Sequence, residues 1–195
     1  SVVMDAMNQI GLLLTNTIFS VLILLVWLRL LLQIAGADFF NPVSQFVVKT
    51  TSPLLHPLRR VITSVFGLDT AALVLIVILK LVQLSALAHL SGQAVTPGLL
   101  FITSIFSLLL AATDFFFWII LGMVILSWVA MASGGMSPAM MPLMQIAEIV
   151  LGPCRRLMPS LGGLDLSPII AFLAIQIIEI LLKSAYPQAI ALLAG

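Results

Sequence analysis

Charged side chains are scarce in this sequence. Its 195 residues include 8 Lys and Arg and 7 Asp and Glu, together 8%, whereas 62% of the residues are apolar. Soluble globular domains carry about 25% charged and roughly 45–50% apolar residues. A chain with so little polar surface would not stay in solution, so the composition predicts an integral membrane protein.

Cysteine and histidine are nearly absent as well. The single Cys154 excludes an intramolecular disulfide, and with only His56 and His89 the chain lacks the ligand sets of zinc fingers and attached haem. No run of Lys and Arg is dense enough to follow a nucleic-acid backbone, and no nucleotide-binding loop or hydrolase motif is present. We therefore expect a non-enzymatic protein that uses no metal, cofactor or nucleic acid.

Apolar residues are concentrated in four stretches, each long enough for a helix that crosses a bilayer, which takes about 20 residues. The predicted spans are residues 7–34, 70–90, 104–131 and 168–185. The third stretch is apolar from Pro97 to Ala132, about 52 Å as one helix. Residues 97–103 are therefore predicted to lead into the span. Tilt of the helix lets the remaining residues fit within the bilayer. The alternative is a break at Asp114 between two short spans.

The sequence contains an internal repeat. The segment PLRRVITSVFGLD (Pro57–Asp69) recurs 96 residues later as PCRRLMPSLGGLD (Pro153–Asp165). Two copies are predicted, residues 1–92 and 93–195. Because each copy holds two spans, both copies have the same orientation in the membrane. The predicted fold is an all-α integral membrane protein with four transmembrane helices in two parallel tandem repeats, each of them helix, interfacial amphipathic helix, helix.

Eight residues of the two long loops are predicted to have structural roles. At the start of each loop helix a capping residue precedes a proline. Before the next span a glycine ends the turn and an aspartate caps the helix, with Ser167 before Pro168 as the alternative cap in the second copy. Copy by copy, they are Asn41, Pro42, Gly67 and Asp69, then Ser137, Pro138, Gly163 and Asp165.

Basic residues are concentrated in or beside these two loops and are absent from the connection between the second and third spans. By the positive-inside rule the loops face the cytoplasm and both termini lie outside. The pairs Arg59–Arg60 and Arg155–Arg156 are expected to contact anionic lipid headgroups, at about 1 kcal/mol per residue, and to hydrogen-bond Asp69 or Asp165 of the same copy. No glycine-rich segment is present to cradle a phosphate, so a dedicated phosphate site is not expected. The alternative role of the loops is to bind a partner.

Polar residues also recur at equivalent depths within the spans. They are Asn16, Lys80, Gln83, Asp114, Gln176 and Glu179. Because such groups are costly in hydrocarbon, we expect them to face one another in the interior. One interpretation is a structural cluster in which Asp114 or Glu179 neutralises Lys80. The other is a cation or proton path, because two acids against one lysine leave one carboxylate uncompensated.

Each copy contains a span, an Asn-Pro or Ser-Pro step, an arginine pair and Gly-Leu-Asp. This repeated pattern resembles the YggT family of small bacterial inner-membrane proteins. The resemblance is strongest in DFFNPVSQFVVKTTSPLLHPLRR (Asp38–Arg60), whereas Gly134–Met141 departs from that pattern. The family is linked to osmotic-stress tolerance and potassium uptake, and plastid relatives to haem attachment in cytochrome b6.

This resemblance implies a non-enzymatic role in the inner membrane, and two functions fit it. The first is a scaffold or assembly component of a larger membrane complex or homo-oligomer. The second is an ion or solute permease.

Overall fold

The structure is a computed structural model that describes residues 1–158 and 165–194. It consists of six α-helices joined by short connections, with one 3-10 turn at Pro138–Met140. The helices are α1 (Val2–Ile34), α2 (Pro42–Arg59), α3 (Thr70–Leu90), α4 (Pro97–Ser133), α5 (Met141–Arg156) and α6 (Ser167–Ala194). Four of them, α1, α3, α4 and α6, are long and apolar enough to cross a membrane. The predicted all-α fold with four spans is confirmed.

Three spans extend beyond their predicted boundaries, and the first of them, α1, begins five residues early at Val2. Helix α4 begins at Pro97, which suits a first helical position because its missing N–H needs no partner there, and it continues without a break through Asp114. Helix α6 passes Pro187, although proline disfavours a helix interior. Next to this proline the Tyr186 hydroxyl lies 2.8 Å from that of Thr103, a hydrogen bond that helps to hold the last turns in place.

The chain forms two compact units. Unit 1 comprises Ser1–Leu30, Val47–Leu108 and the residues from Tyr186 onward, and unit 2 comprises Leu31–Phe46 and Leu109–Ala185. Their boundaries fall within helices. The division into copies at residues 92 and 93 stays a prediction.

Each unit has an apolar core where two spans meet a loop helix. In unit 1, α1, α2 and α3 contribute Val26, Leu30, Leu55, Ala71, Ala72, Leu75, Ile76 and Leu79. In unit 2, α4, α5 and α6 contribute Ile120, Met123, Ala147, Leu151, Cys154, Ala171 and Ile175.

The two cores use equivalent sequence positions. Leu55 of α2 corresponds to Leu151 of α5 at the repeat offset of 96 residues. Leu79 of α3 likewise corresponds to Ile175 of α6. The sequence repeat is therefore also a repeat of packing, in which the amphipathic loop helix covers the same part of both span pairs.

Candidate functional site

An arginine–aspartate ion pair closes the loop in each copy. In unit 1, Arg59 Nη2 lies 2.5 Å from Asp69 Oδ2. In unit 2, Arg155 Nε lies 3.1 Å from Asp165 Oδ2. In both copies the pair joins the end of the loop helix to the residues just before the next span, which fixes the angle between these two elements.

The same carboxylates hold the first turn of the following helix. Asp69 Oδ1 accepts a hydrogen bond from Ala72 N at 3.4 Å and caps α3. Asp165 Oδ1 accepts from Ser167 N at 3.0 Å. Ser167, which donates its N–H to this carboxylate, and Arg155 hold the pKa of the Asp165 carboxyl below its ordinary value.

The first loop helix begins directly after Asn41. Asn41 Oδ1 accepts from Val43 N at 2.9 Å, with Pro42 as the first residue of α2. The Asn41 side chain also donates to the Pro138 carbonyl at 3.0 Å, within unit 2.

The second loop helix begins differently from its predicted start. Ser137 Oγ accepts from Ala139 N at 3.4 Å, but Pro138 opens the 3-10 turn instead of the α-helix. Helix α5 starts only at Met141, with Pro142 in its first turn. The physical reason is that Pro142 lacks the N–H that an α-helix begun at Pro138 would pair with the carbonyl four residues earlier.

The turn after Arg60 has an unusual backbone. Gly67 has φ of 74° and Phe66 has φ of 53°, both in the left-handed region, and Val65 and Leu68 pair across the turn. This conformation is costly for any residue except glycine, which explains Gly67. The Phe66 ring is fully exposed. The equivalent Gly163 lies outside the described residues.

Arg29 has a structural role that the sequence analysis missed. Its Nη1 donates to the Val48 carbonyl at 2.9 Å, to Thr51 Oγ1 at 3.0 Å and to Ser52 Oγ at 2.9 Å. The half-buried guanidinium thus ties the end of α1 to the middle of α2. The signal that would have identified it is the hydroxyl pair Thr51–Ser52, since Thr51 lies on the buried face of α2.

In the second copy the equivalent positions form contacts within single helices. Ser127 occupies the position equivalent to Arg29 and donates to the Met123 carbonyl of its own helix at 2.8 Å. Glu148 replaces Ser52 and pairs with Arg155 at 2.5 Å between Oε2 and Nη1. These carboxylate contacts, with Glu148 the largest cause, raise the pKa of Arg155, which stays protonated at any working pH.

Three of the six mid-membrane polar residues come together in unit 1. The Gln83 side-chain amide donates to the Asn16 carbonyl at 3.1 Å, to Asn16 Oδ1 at 3.1 Å and to Ser20 Oγ at 3.0 Å. Lys80 Nζ donates to Gln83 Oε1 at 3.1 Å. Gln83 is 1% exposed, so this chain of polar groups connects α1 and α3 through a buried amide.

The other three lie in unit 2 and form no such chain. Glu179 Oε1 pairs with Lys183 Nζ at 2.7 Å along α6. Asp114 and Gln176 are exposed, and within the described ranges neither has a hydrogen bond or ion pair. One of the two interpretations of the sequence gives Lys80 an acidic partner, whereas in the structure Lys80 donates to the Gln83 side-chain amide.

Asp114 lies on an exposed face of α4. We call this surface the Asp114 face; its residues share one side of the helix and are Asp114, Trp118, Gly122, Ile125 and Val129. Trp118 is 61% exposed, and a Cβ added at Gly122 would have no neighbour within 4 Å. In residues 1–158 and 165–194, no three His, Cys, Asp or Glu side chains are grouped as metal ligands would be.

Comparison with known proteins identifies the repeats. The CCB3/YggT family model matches residues 7–90 and 102–186. An uncharacterised protein of Pseudomonas aeruginosa is 42% identical over 181 residues, which cover 91% of this chain and 90% of that protein. The uncharacterised protein YggT of Escherichia coli K12 is 38% identical over 173 residues, 89% of this chain and 88% of its own length. No solved structure matches.

Proposed function

Since the chain belongs to the CCB3/YggT family, we propose that it is a non-enzymatic component of a larger membrane assembly. The observation that carries this proposal is the carboxyl group of Asp114. It lies 17 residues after Pro97 and 19 before Ser133, at the centre of an uninterrupted apolar helix. An acidic side chain at the centre of a membrane helix costs about 2.5–3.5 kcal/mol on insertion scales. This cost favours a state in which another molecule covers Asp114.

The residues around Asp114 suit a helix as that molecule. Trp118, Ile125 and Val129 provide apolar contact area, and Gly122 lets a second backbone approach closely, as small residues do between membrane helices. The occupant we propose is a transmembrane helix of another protein with a basic or hydrogen-bond-donating side chain at mid-membrane depth. A two-fold dimer centred on this face would instead place one Asp114 opposite the other, so charge complementarity favours a different chain.

The mass of the native complex tests this function. The protein is extracted in a mild detergent and weighed by native mass spectrometry, as wild type and as Asp114→Leu. We expect a wild-type complex with a second kind of chain that Asp114→Leu loses. The matched control is Gln176→Leu, which also replaces an exposed polar residue of a span and should leave the complex intact. A strictly monomeric wild type under every mild condition, or a complex of identical chains only, would contradict the proposal.

Ion permeation is the second candidate function, favoured by the polar chain of unit 1. Lys80, Gln83 and Asn16 form a continuous line of hydrogen-bonding groups between two spans. Potassium flux into liposomes containing the protein tests it. Flux above that of protein-free liposomes, lowered by Gln83→Leu, would support permeation. Flux equal to that of protein-free liposomes would exclude it.

We further propose that the protein lies in a bacterial inner membrane with both termini outside the cytoplasm. The basic residues of α2 and α5 support this orientation, since the connection between α3 and α4 has none. Reporter fusions after Asn41 and after Cys154 should both report the cytoplasm, and one at Gly92 should report the outside. A Cys154 fusion that reports the outside would overturn this topology.

A further inference from the structure

Positive charge accumulates at one end of the spans in unit 1. The guanidinium of Arg29 is hydrogen-bonded to Ser52 of α2, which lies two helical turns before Arg59, and it interacts electrostatically with Arg59 and Asp69. Both carboxylate oxygens of Asp69 have partners: one pairs with Arg59, and the other accepts a hydrogen bond from the first turn of α3. Arg60, the next residue, is exposed and forms no hydrogen bond or ion pair in the part of the chain that the structure describes. We call Arg29, Arg59, Arg60 and Asp69 the first-copy cluster.

The equivalent place in unit 2 is neutral. Arg155 lies between two carboxylates, those of Glu148 and Asp165. Ser127 replaces Arg29, so the second copy has two arginines, Arg155 and Arg156, and two acids. The first-copy cluster has three arginines and one acid. The excess of charge is therefore a property of the first copy and not of the repeat.

The surroundings of the first-copy cluster are typical of a membrane interface. Lys49 and His56 are exposed on α2. Just after Arg60, Val61 is 84% exposed and Phe66 is fully exposed at the tip of its turn. Basic groups beside exposed apolar side chains are the arrangement by which interfacial segments contact anionic lipids.

We propose that the first-copy cluster binds a phosphate group. Guanidinium groups bind phosphate oxygens in a two-point geometry. Nη1 of Arg29 is engaged by α2, but its Nε and Nη2 have no partner among residues 1–158 and 165–194. The phosphate comes either from the headgroup of an anionic phospholipid or from solution. The sequence predicts headgroup contacts for both arginine pairs alike, whereas the structure adds Arg29 and favours the first copy.

Lipid binding to the full-length protein tests the proposal. The detergent-purified protein is titrated with phosphatidylglycerol, phosphatidylcholine or inorganic phosphate, and the bound species are counted by native mass spectrometry. We expect phosphatidylglycerol to bind more tightly than phosphatidylcholine. Binding of inorganic phosphate at the same cluster would support the site and identify solution phosphate as a source; its absence together with phosphatidylglycerol binding would identify the lipid.

Three variants locate the site. Arg60→Gln should weaken phosphatidylglycerol binding about fivefold, the effect of one basic side chain near an anionic surface. Ser52→Glu introduces the carboxylate that the second copy has as Glu148, and should abolish the preference for phosphatidylglycerol. The matched control Arg156→Gln removes the equivalent exposed arginine of the second copy and should change binding less than about twofold.

Two results would overturn the proposal. One is equal binding of phosphatidylglycerol and phosphatidylcholine with no binding of inorganic phosphate. The other is an equal loss in Arg60→Gln and Arg156→Gln, which would indicate general attraction to basic loops. Should Ser52→Glu fail to fold, the comparison of the two exposed arginines still decides, because neither side chain packs in the core.

Discussion

Arg59 and Asp69 are joined by an ion pair of 2.5 Å that ties the last residue of α2 to the residue before α3. The Asp69 side chain is 9% exposed, whereas that of Asp165, its counterpart in the second copy, is 50% exposed. The same pair therefore exists in a buried and in an exposed form within one chain. This difference allows the contribution of burial to be measured.

We expect Asp69→Asn to lower the free energy of unfolding by about 1–2 kcal/mol, because it removes a charged hydrogen-bond partner from a mostly buried site. Asp165→Asn should cost less than about 1 kcal/mol, as exposed ion pairs do. Denaturation in detergent micelles measures both. Equal losses in the two variants would show that burial does not set the strength of this pair.

The position of α2 depends on Arg29. Arg29→Leu should lower the free energy of unfolding by about 2–3 kcal/mol, because three hydrogen bonds to α2 are lost. The Thr51 and Ser52 hydroxyls and the Val48 carbonyl are then left without the guanidinium donor. The control is Ser127→Ala, which removes a bond only within its own helix and should cost less than about 0.5 kcal/mol. Protease sensitivity of residues 42–59 should rise in Arg29→Leu alone. Unchanged sensitivity would mean that α2 is held by its apolar face.

The stabilisation that Asp165 provides should be lost at acid pH. Its pKa is lowered in the folded state, so the unfolded chain takes up the proton first as the pH falls. The stabilisation is complete above the ordinary value near 3.9 and is lost as the pH falls through the folded pKa. The melting temperatures of wild type and Asp165→Asn should therefore differ at pH 6 and converge below about pH 4. A difference in melting temperature that persists unchanged at pH values below the folded pKa of Asp165 would contradict this role of Asp165.

The buried amide of Gln83 should contribute to the packing of α1 against α3. Gln83→Leu leaves Lys80 and Asn16 without their partner and should cost about 1–2 kcal/mol, near the upper range for hydrogen bonds between membrane helices. Gln176→Leu replaces an exposed residue, the one aligned with Lys80 in the repeat. It should change the free energy of unfolding by less than about 0.5 kcal/mol. Unfolding in detergent distinguishes the two. A larger loss in Gln176→Leu would contradict the description of the two units.

The spans and the repeat could be predicted because both depend on local sequence. Apolar length identifies a span without knowledge of its neighbours, and the copied Arg-Arg and Gly-Leu-Asp motifs identify the two loops. The ends of α4 and α6 could not be placed in this way. Pro97 fits a helix start as well as a turn, and the helix beyond Pro187 accompanies a contact between Tyr186 and Thr103, which are 83 residues apart.

The polar residues show what sequence spacing leaves undetermined. Lys80 and Gln83 share a helix face, as do Gln176 and Glu179, but spacing does not tell which face meets another helix. Gln83 is buried against α1, whereas Glu179 pairs along its own helix. The structural role of Arg29 could not be predicted for a related reason. An arginine occupies this position in one copy only, so the repeat does not indicate that it matters.

The proposed function depends on a helix of another protein that covers the Asp114 face. Photo-crosslinking in native membranes, with the crosslinker placed at Trp118, tests it most directly. We expect one crosslinked product that contains a different membrane protein, and we expect it to be lost in Asp114→Leu but kept in Gln176→Leu. Crosslinks only to lipid, or only to a second copy of this chain, would contradict the claim.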